Sequence, residues 1–342
     1  MIDVGGWYNK AELKAKGDEI VKEAKLATRR EAESYRAALD AQAQQEARSK
    51  GVENTEHIRG MNPITPQEEA EFAAYLDESF SWIPSAFEGY GDPNPDDFDG
   101  IIKDLAKVEG TFGGSQSSTK NGDLAWTEKA KSEIEEWKGV FAENLYNNLL
   151  LPLPTIQDNH GKIAHVLTEA MKGTQNIYNG QKRDISQLAD DTIKQLKKCG
   201  TRDGDNTKLG LTVAACLMGV AAAALALPSG GTSVYVTGIV MASISSSTII
   251  TNATVKPGDG DIGGKTVNDV IKSMSDGMSR ISTEVSEQEQ KVVKVLSKNY
   301  EMLTGLRQLG NSSKKPTPIS PMRPTIADSK NPSSGLKPEG PQ

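Results

Sequence analysis

The residues able to do chemistry are few. His57, His160 and His165 are the three histidines of the chain. A zinc-binding pair on a helix stands at i and i+4, and His160 and His165 are five apart, so they do not share a face as ligands would. They are expected at helix edges. Cys199 and Cys216 are the two cysteines. Neither has a histidine close by in sequence to activate it, and two thiols make no disulfide framework. Both are expected to be unpaired and structural. The acidic stretch DPNPDDFDG (92–100) resembles the opening of a calcium loop. Asp97, however, stands where such a loop needs glycine, and Lys103 where it needs the closing carboxylate, so a capped turn is expected. GDGDIGGK (258–265) lacks the spacing of a phosphate-binding loop and reads as a linker. There is no Gly-x-Ser-x-Gly elbow. The expectation is a non-enzymatic protein with no catalytic residues, no metal site, no cofactor and no small-molecule substrate.

Composition points the same way. The 342 residues are 36% hydrophobic, 25% charged and only 5% aromatic, with a formal net charge of −7. Few aromatics and much Ala, Lys, Glu and Gln favour helices over a β-sandwich. The acidic balance argues against nucleic acid as a partner, because that needs a basic face. The first residues, MIDVGGWYNKAELKAKGDE, hold no basic region followed by an apolar core, so no Sec-type signal is expected there. The protein is expected to remain in the cytoplasm or to leave by a route that reads a folded signal.

The patterning predicts an all-α fold in five parts. Residues 1–58 form a charged helical arm whose apolar stripe is thin (Leu13, Ile20, Val21, Ala24, Leu26, Ala27), so it should pack poorly. Residues 59–200 form a helical domain. Thr65-Pro66-Gln67-Glu68 is a helix start with Thr65 as N-cap, proline at N1 and Glu68 at N3. That helix should stop near Pro84, and a short amphipathic helix carrying Ile101, Ile102, Leu105 and Val108 should follow. GGSQSSTKNGD (113–123) is a flexible loop. From 124 to 151, Trp126, Ala130, Ile134, Trp137, Phe141, Leu145 and Leu149 mark one helical face, interrupted by Pro152 and Pro154. A helix of about 40 residues then runs to about 199, as the second arm of an antiparallel hairpin or as a kinked rod.

Lys208 and Lys256 bracket a segment without charge, the third part, 209–252. Its arms, 209–227 and 233–250, flank the turn PSGGT. The first arm as a helix would be about 28 Å long, enough to cross a bilayer core or to be buried. The fourth part, 263–309, keeps a 4-3-4-3 rhythm from Val267 through Ile271, Met274, Met278 and Ile281 to Leu303 and Leu306. Gln288 and Asn299 fill its polar places. This is the pattern of a long helix in a bundle or coiled coil with register-setting polar residues. The fifth part, 310–342, is Pro/Ser/Lys-rich and is expected to be disordered.

One short element gives a resemblance. Trp137-Lys138-Gly139, followed by Phe141, Leu145 and then IAHVLTEAMKGTQNIYNGQKRDISQLADDTIKQL, resembles the Trp-X-Gly helical-hairpin substrates of the type VII (ESX) secretion system, in particular their longer relatives. The likeness covers roughly 95–199. It implies that Gly139 lets the chain turn at a helix junction and that Trp137 closes the hairpin end. That family carries an export signal, Tyr-x-x-x-Asp/Glu, just after the hairpin. This chain offers Tyr8-x-x-x-Glu12, at the opposite end.

Two functions follow as expectations. The first is a helical protein of type VII secretion, secreted or envelope-associated, that acts by helix–helix pairing with a protein partner or with itself. The second is a membrane-active, pore-forming-like helical protein that inserts the 209–252 hairpin.

Overall fold

The computed structural model describes residues 7–112, 126–134, 136–137, 139–200, 209–210, 261–262, 266–313, 317 and 319–321. The 113–123 loop, most of the uncharged 209–252 hairpin, Cys216 and most of the 310–342 tail lie outside the described residues. What is described is all-α. Eight α-helices occur in it: α1 Lys10–Ser49, α2 Pro66–Phe80, α3 Ile83–Gly89, α4 Phe98–Thr111, α5 Trp126–Ile134, α6 Val140–Leu145, α7 Leu153–Lys198 and α8 Val267–Ser313. A two-residue antiparallel ladder, β1 Leu209–Gly210 and β2 Asp261–Ile262, pairs Leu209 with Ile262.

The helices sort into two compact units, neither contiguous in sequence. One unit draws its described residues from Met1–Asn94, Ile177–Ala215 and Thr254–Glu287, the other from Pro95–Asn176, Cys216–Ala253 and Gln288–Gln342. The long helices α7 and α8 contribute to both.

The first unit is built on α1. Asn9 caps it and Glu12 closes the capping box, with the Asn9 amide donating to the Glu12 carboxylate at 2.7 Å. Its buried stripe is Leu13, Gly17, Ile20, Ala24 and Ala27, at 4-3-4-3 spacing. The expectation of a poorly packed arm therefore fails for the first half of α1. Gly17 supplies what the apolar count missed: a Cβ there would stand 2.6 Å from the Pro84 Cα, so only glycine lets α3 approach this closely. Around the stripe lie Leu76 and Phe80 of α2, Ile83 and Phe87 of α3, Ile185, Leu188 and Leu196 of α7, and Val270, Met274 and Ile281 of α8. Leu26, counted in the expected stripe, is 45% exposed.

Past Ala27 no residue of α1 is buried. The helix ends at Lys50–Gly51, where the chain reverses with Gly51 at φ +86°, and the stretch to Asp92 returns antiparallel along one side of α1. Arg48 donates to Thr55 at 2.9 Å, Gln44 to the Ile58 carbonyl at 3.3 Å and Arg36 to the Asn62 carbonyl at 2.6 Å. Asp40 accepts from the Gly60 amide at 2.7 Å. Ion pairs continue the line: Arg29–Glu69 at 3.0 Å, Lys25–Asp77, Lys14–Glu88 at 3.1 Å and Lys10–Asp92. Exposed pairs of this kind contribute little each, about 0–1 kcal/mol, so they set direction more than stability. Thr65 and Glu68 form the expected capping box of α2. α2 stops at Phe80, close to Pro84 as expected, and Pro84 itself begins another helix. It lies in the first turn of α3, where its missing N–H costs nothing.

In the second unit α4 lies antiparallel on α7. Gln175 donates to Asp99 at 2.6 Å and to the Pro95 carbonyl at 3.0 Å, His165 Nδ1 stands 3.3 Å from the Glu109 carboxylate, and Phe112 meets the His160 ring edge-on at 5.3 Å. The one face expected over 124–151 is broken. α5 stops at Ile134, α6 starts at Val140, and a widened turn at Tyr146–Leu150 carries the Leu151 amide to the Tyr146 carbonyl at 2.8 Å. Pro152 and Pro154 lack the N–H groups that would carry α6 onward, and they fit at the start of α7 instead. The interior of this unit combines Ala142, Leu150, Ile156, Ala164, Ala170 and Val292 with the buried polar residues Gln157, Asn159, Thr168, Gln288 and Asn299.

Candidate interaction site

The Trp-Lys-Gly element lies at the break between α5 and α6. Gly139 is the residue before α6 and adopts φ +109° and ψ 163°, a conformation that side-chain-bearing residues avoid. The cost of a glycine there is thus offset by a change of direction. Trp137 is 58% exposed and Trp126 62%. Neither indole belongs to the described core.

Tyr8 and Glu12 are both engaged within the first unit. The Tyr8 hydroxyl donates to the Asp190 carboxylate at 2.9 Å, its amide donates to Ser186 Oγ at 3.0 Å, and Lys16 Nζ lies 5.0 Å from its ring centre. Burial, then the bond to Asp190, push the Tyr8 phenol above its usual range. Lys16 also pairs with Asp190 at 2.9 Å, and that bond pushes its ammonium pKa above the usual lysine range. The carboxylate of Glu12 is the one that closes the α1 cap.

Two of the three histidines contact neighbours in the second unit. His160 Nε2 is 2.8 Å from the Ile319 carbonyl, His165 faces Glu109, and His57 is exposed. Among the described residues no group of histidines, cysteines and carboxylates could hold a metal ion. Cys199 is buried, and desolvation pushes its thiol up to about 11, so it is a poor nucleophile.

What the sequence did not single out is a pair of consecutive charges. Arg30 Nη2 donates to the Leu196 carbonyl at 2.9 Å, in the last turn of α7. The Glu31 carboxylate accepts from the Val267 amide, the first of α8, at 2.8 Å. A cation at a helix C-terminus and an anion at an N-terminus both oppose the helix dipole. The signal was present in the spacing: the stripe 13, 17, 20, 24, 27 continues to 31, and a carboxylate in that place needs a donor.

The same spacing continues to Ser34, Ala38, Ala41 and Gln45, all exposed. The stripe packed inside the unit up to Ala27 is thus followed by the small, exposed Ser34, Ala38 and Ala41.

The heptad helix places its polar residues as expected. Gln288 is 3% and Asn299 9% exposed, with Asn299 Nδ2 donating to the Val295 carbonyl at 2.9 Å. Among the described residues no helix is long and apolar enough to cross a membrane.

No family model matches the chain, and no curated protein and no solved structure is significantly similar to it.

Proposed function

We propose that the chain is a non-enzymatic helical protein that works by pairing a helix face with a helix of a partner or of a second copy. The observation that carries this is the distal half of α1. A packing stripe buried at Leu13, Gly17, Ile20, Ala24 and Ala27 runs on, in register, into the exposed Ser34, Ala38, Ala41 and Gln45. Small residues on a helix let a second helix approach closely. Light scattering tests it. The full chain at high micromolar concentration should be larger than a monomer, and Ala38→Lys with Ala41→Lys should return it to monomer without lowering its melting temperature. A strict monomer that also captures no helical partner would overturn the reading.

A type VII secretion setting for this pairing is supported by Gly139, which turns the chain at a helix junction as the Trp-X-Gly element does in that family. Its test is export of the full chain from cells with and without the ESX ATPase, where equal amounts outside both would remove the assignment.

The membrane reading draws on the β1–β2 ladder. Leu209 pairs with Ile262, so the chain ahead of and beyond the uncharged segment meets at one place, as an insertable hairpin requires. Full extraction of the protein from membranes by carbonate would sink it.

A further inference from the structure

α4 carries an apolar stripe and buries none of it. Ile101, Leu105 and Val108, with Phe112 just past the helix end, recur at spacings of four, three and four, which is one face of a helix. Yet no residue of α4 is buried, and Ile101 and Val108 are 51% and 44% exposed. By contrast α3, half as long, buries Ile83 and Phe87. The ties from α4 to α7 are polar or at its end: Asp99 to Gln175 at 2.6 Å, Glu109 to His165 at 3.3 Å and Phe112 to the His160 ring. At about 100° per residue, Asp99 and Glu109 fall on one flank of the stripe, with Asp97 and Asp104 on the other. Asp97 stands four residues before Ile101, and Asp104 three after it and four before Val108, so each is one turn from an exposed apolar side chain. Asp97 makes no side-chain capping bond to α4, and Asp104 accepts from Lys107 at 2.8 Å, an exposed pair within one turn. Residues 95–112 hold five carboxylates and two lysines.

We propose that the Ile101–Leu105–Val108 face of α4 docks a basic amphipathic helix of a partner protein, one with apolar residues every three or four places and Lys or Arg along their border. Two observations select this occupant. A helix of 14 residues with no buried side chain is marginal in water, and an exposed apolar stripe of this kind marks a contact surface. The carboxylates beside the stripe then choose among covers. Cations bordering the partner's stripe meet Asp97 and Asp104, and the complementary charge speeds encounter and fixes alignment. A second copy of α4 would set those carboxylates against their own kind. They would repel an anionic bilayer surface for the same reason. The face is separate from the distal half of α1, so this pairing does not rest on that one.

The experiment uses the full chain and a labelled synthetic helix of about five turns, built from Leu, Lys and Ala with Leu every three or four places and Lys beside it. A counterpart carries Glu in place of Lys. Fluorescence anisotropy should show the parent binding the Lys helix about tenfold more tightly than the Glu helix. Ile101→Ser with Val108→Ser should weaken that binding about tenfold and leave the melting temperature unchanged, because both side chains are exposed. Asp97→Asn with Asp104→Asn should weaken it about threefold and flatten its dependence on salt. Ala38→Lys with Ala41→Lys should bind as the parent does, which separates this face from that of α1. A parent that does not bind the Lys helix, binds both helices equally, or keeps its affinity in the Ser variant would overturn the proposal. So would either of two other covers. Loss of self-association in light scattering on Ile101→Ser with Val108→Ser would mean that a second copy lies on the face. Cosedimentation with phosphatidylcholine vesicles that the same variant loses would mean that lipid does.

Discussion

Arg30 and Glu31 are neighbours in sequence and cap two different helices: Arg30 holds a carbonyl in the last turn of α7, Glu31 the first amide of α8. One turn of α1 thus fixes where α7 ends and where α8 begins, on either side of the sixty-odd residues between them. Burial raises the Glu31 pKa, and the Val267 amide opposes that rise. An acid whose folded pKa lies above its unfolded value binds its proton more tightly when folded. Its contribution is therefore greatest below the unfolded value and declines as pH rises through the interval up to the folded one.

Glu31→Gln keeps an acceptor for the Val267 amide and removes the buried charge. At pH 7 it should be at least as stable as the parent, and its stability should slope less with pH across the carboxylate range. Glu31→Leu removes the acceptor and should cost about 1 kcal/mol, as loss of a helix cap does. Urea melts between pH 4 and 8 decide it, and a Gln variant weaker than the Leu variant would refute the capping role.

Gly17→Ala sets two effects against each other. Alanine gains about 1 kcal/mol of helix propensity over glycine. Its Cβ would stand 2.6 Å from the Pro84 Cα, and that atom belongs to the backbone and cannot rotate away. Overpacking costs about 1–3 kcal/mol, so net destabilisation is expected. Thermal unfolding is the measurement, and a stabilised variant would mean that α3 does not lie against α1.

The Trp-Lys-Gly element should divide in two on mutation. With Trp137 58% exposed, Trp137→Ala should change stability by no more than about 0.5 kcal/mol. A buried indole would cost about 3–5 kcal/mol, which is what closure of a hairpin end by this residue requires. Gly139→Val meets no neighbour within 4 Å, yet it forces a β-branched residue to φ +109° and should cost about 1–3 kcal/mol. Melts of both variants distinguish strain from burial.

Much of this fold is written locally, and those parts were legible. The Thr65–Glu68 capping box, the presence of α4 and the heptad rhythm of α8 are each set by residues within a turn or two of one another, although Ile101 and Val108 of the α4 stripe are exposed. α8 runs to Ser313, a turn past the expected 309, because nothing in Asn311–Ser313 obliges a helix to stop. The misses depend on partners distant in sequence. Gly17 reads as a helix weakness until Pro84 is placed against it, and Leu26 reads as core until its exposure is seen. Trp126 and Trp137 have the right spacing for a shared face, but α5 stops at Ile134, before Trp137 is reached. For the candidate site, the expectation of no catalytic constellation rested on residue types and could be read directly. The Arg30–Glu31 caps required knowing where α7 and α8 end in space.

Asn299 tests whether the polar places in α8 cost stability. It is 9% exposed, and its amide nitrogen donates to the Val295 carbonyl, four residues back on its own helix. That carbonyl is also where the Asn299 backbone N–H points in a regular helix, so removing the side chain leaves no acceptor without a donor. Asn299→Leu therefore exchanges a buried amide for a buried apolar side chain with little polar loss, and a gain of about 1–2 kcal/mol is expected. Asn299→Asp places a charge at the same buried position and should destabilise by more than about 2 kcal/mol. If Asn299 sets register, the Leu variant should also lose its single oligomeric state, because polar residues in a heptad stripe select one alignment at a cost in stability. Thermal melts paired with light scattering read both quantities, and a Leu variant that is less stable than the parent would show that Asn299 holds the unit together instead of aligning it.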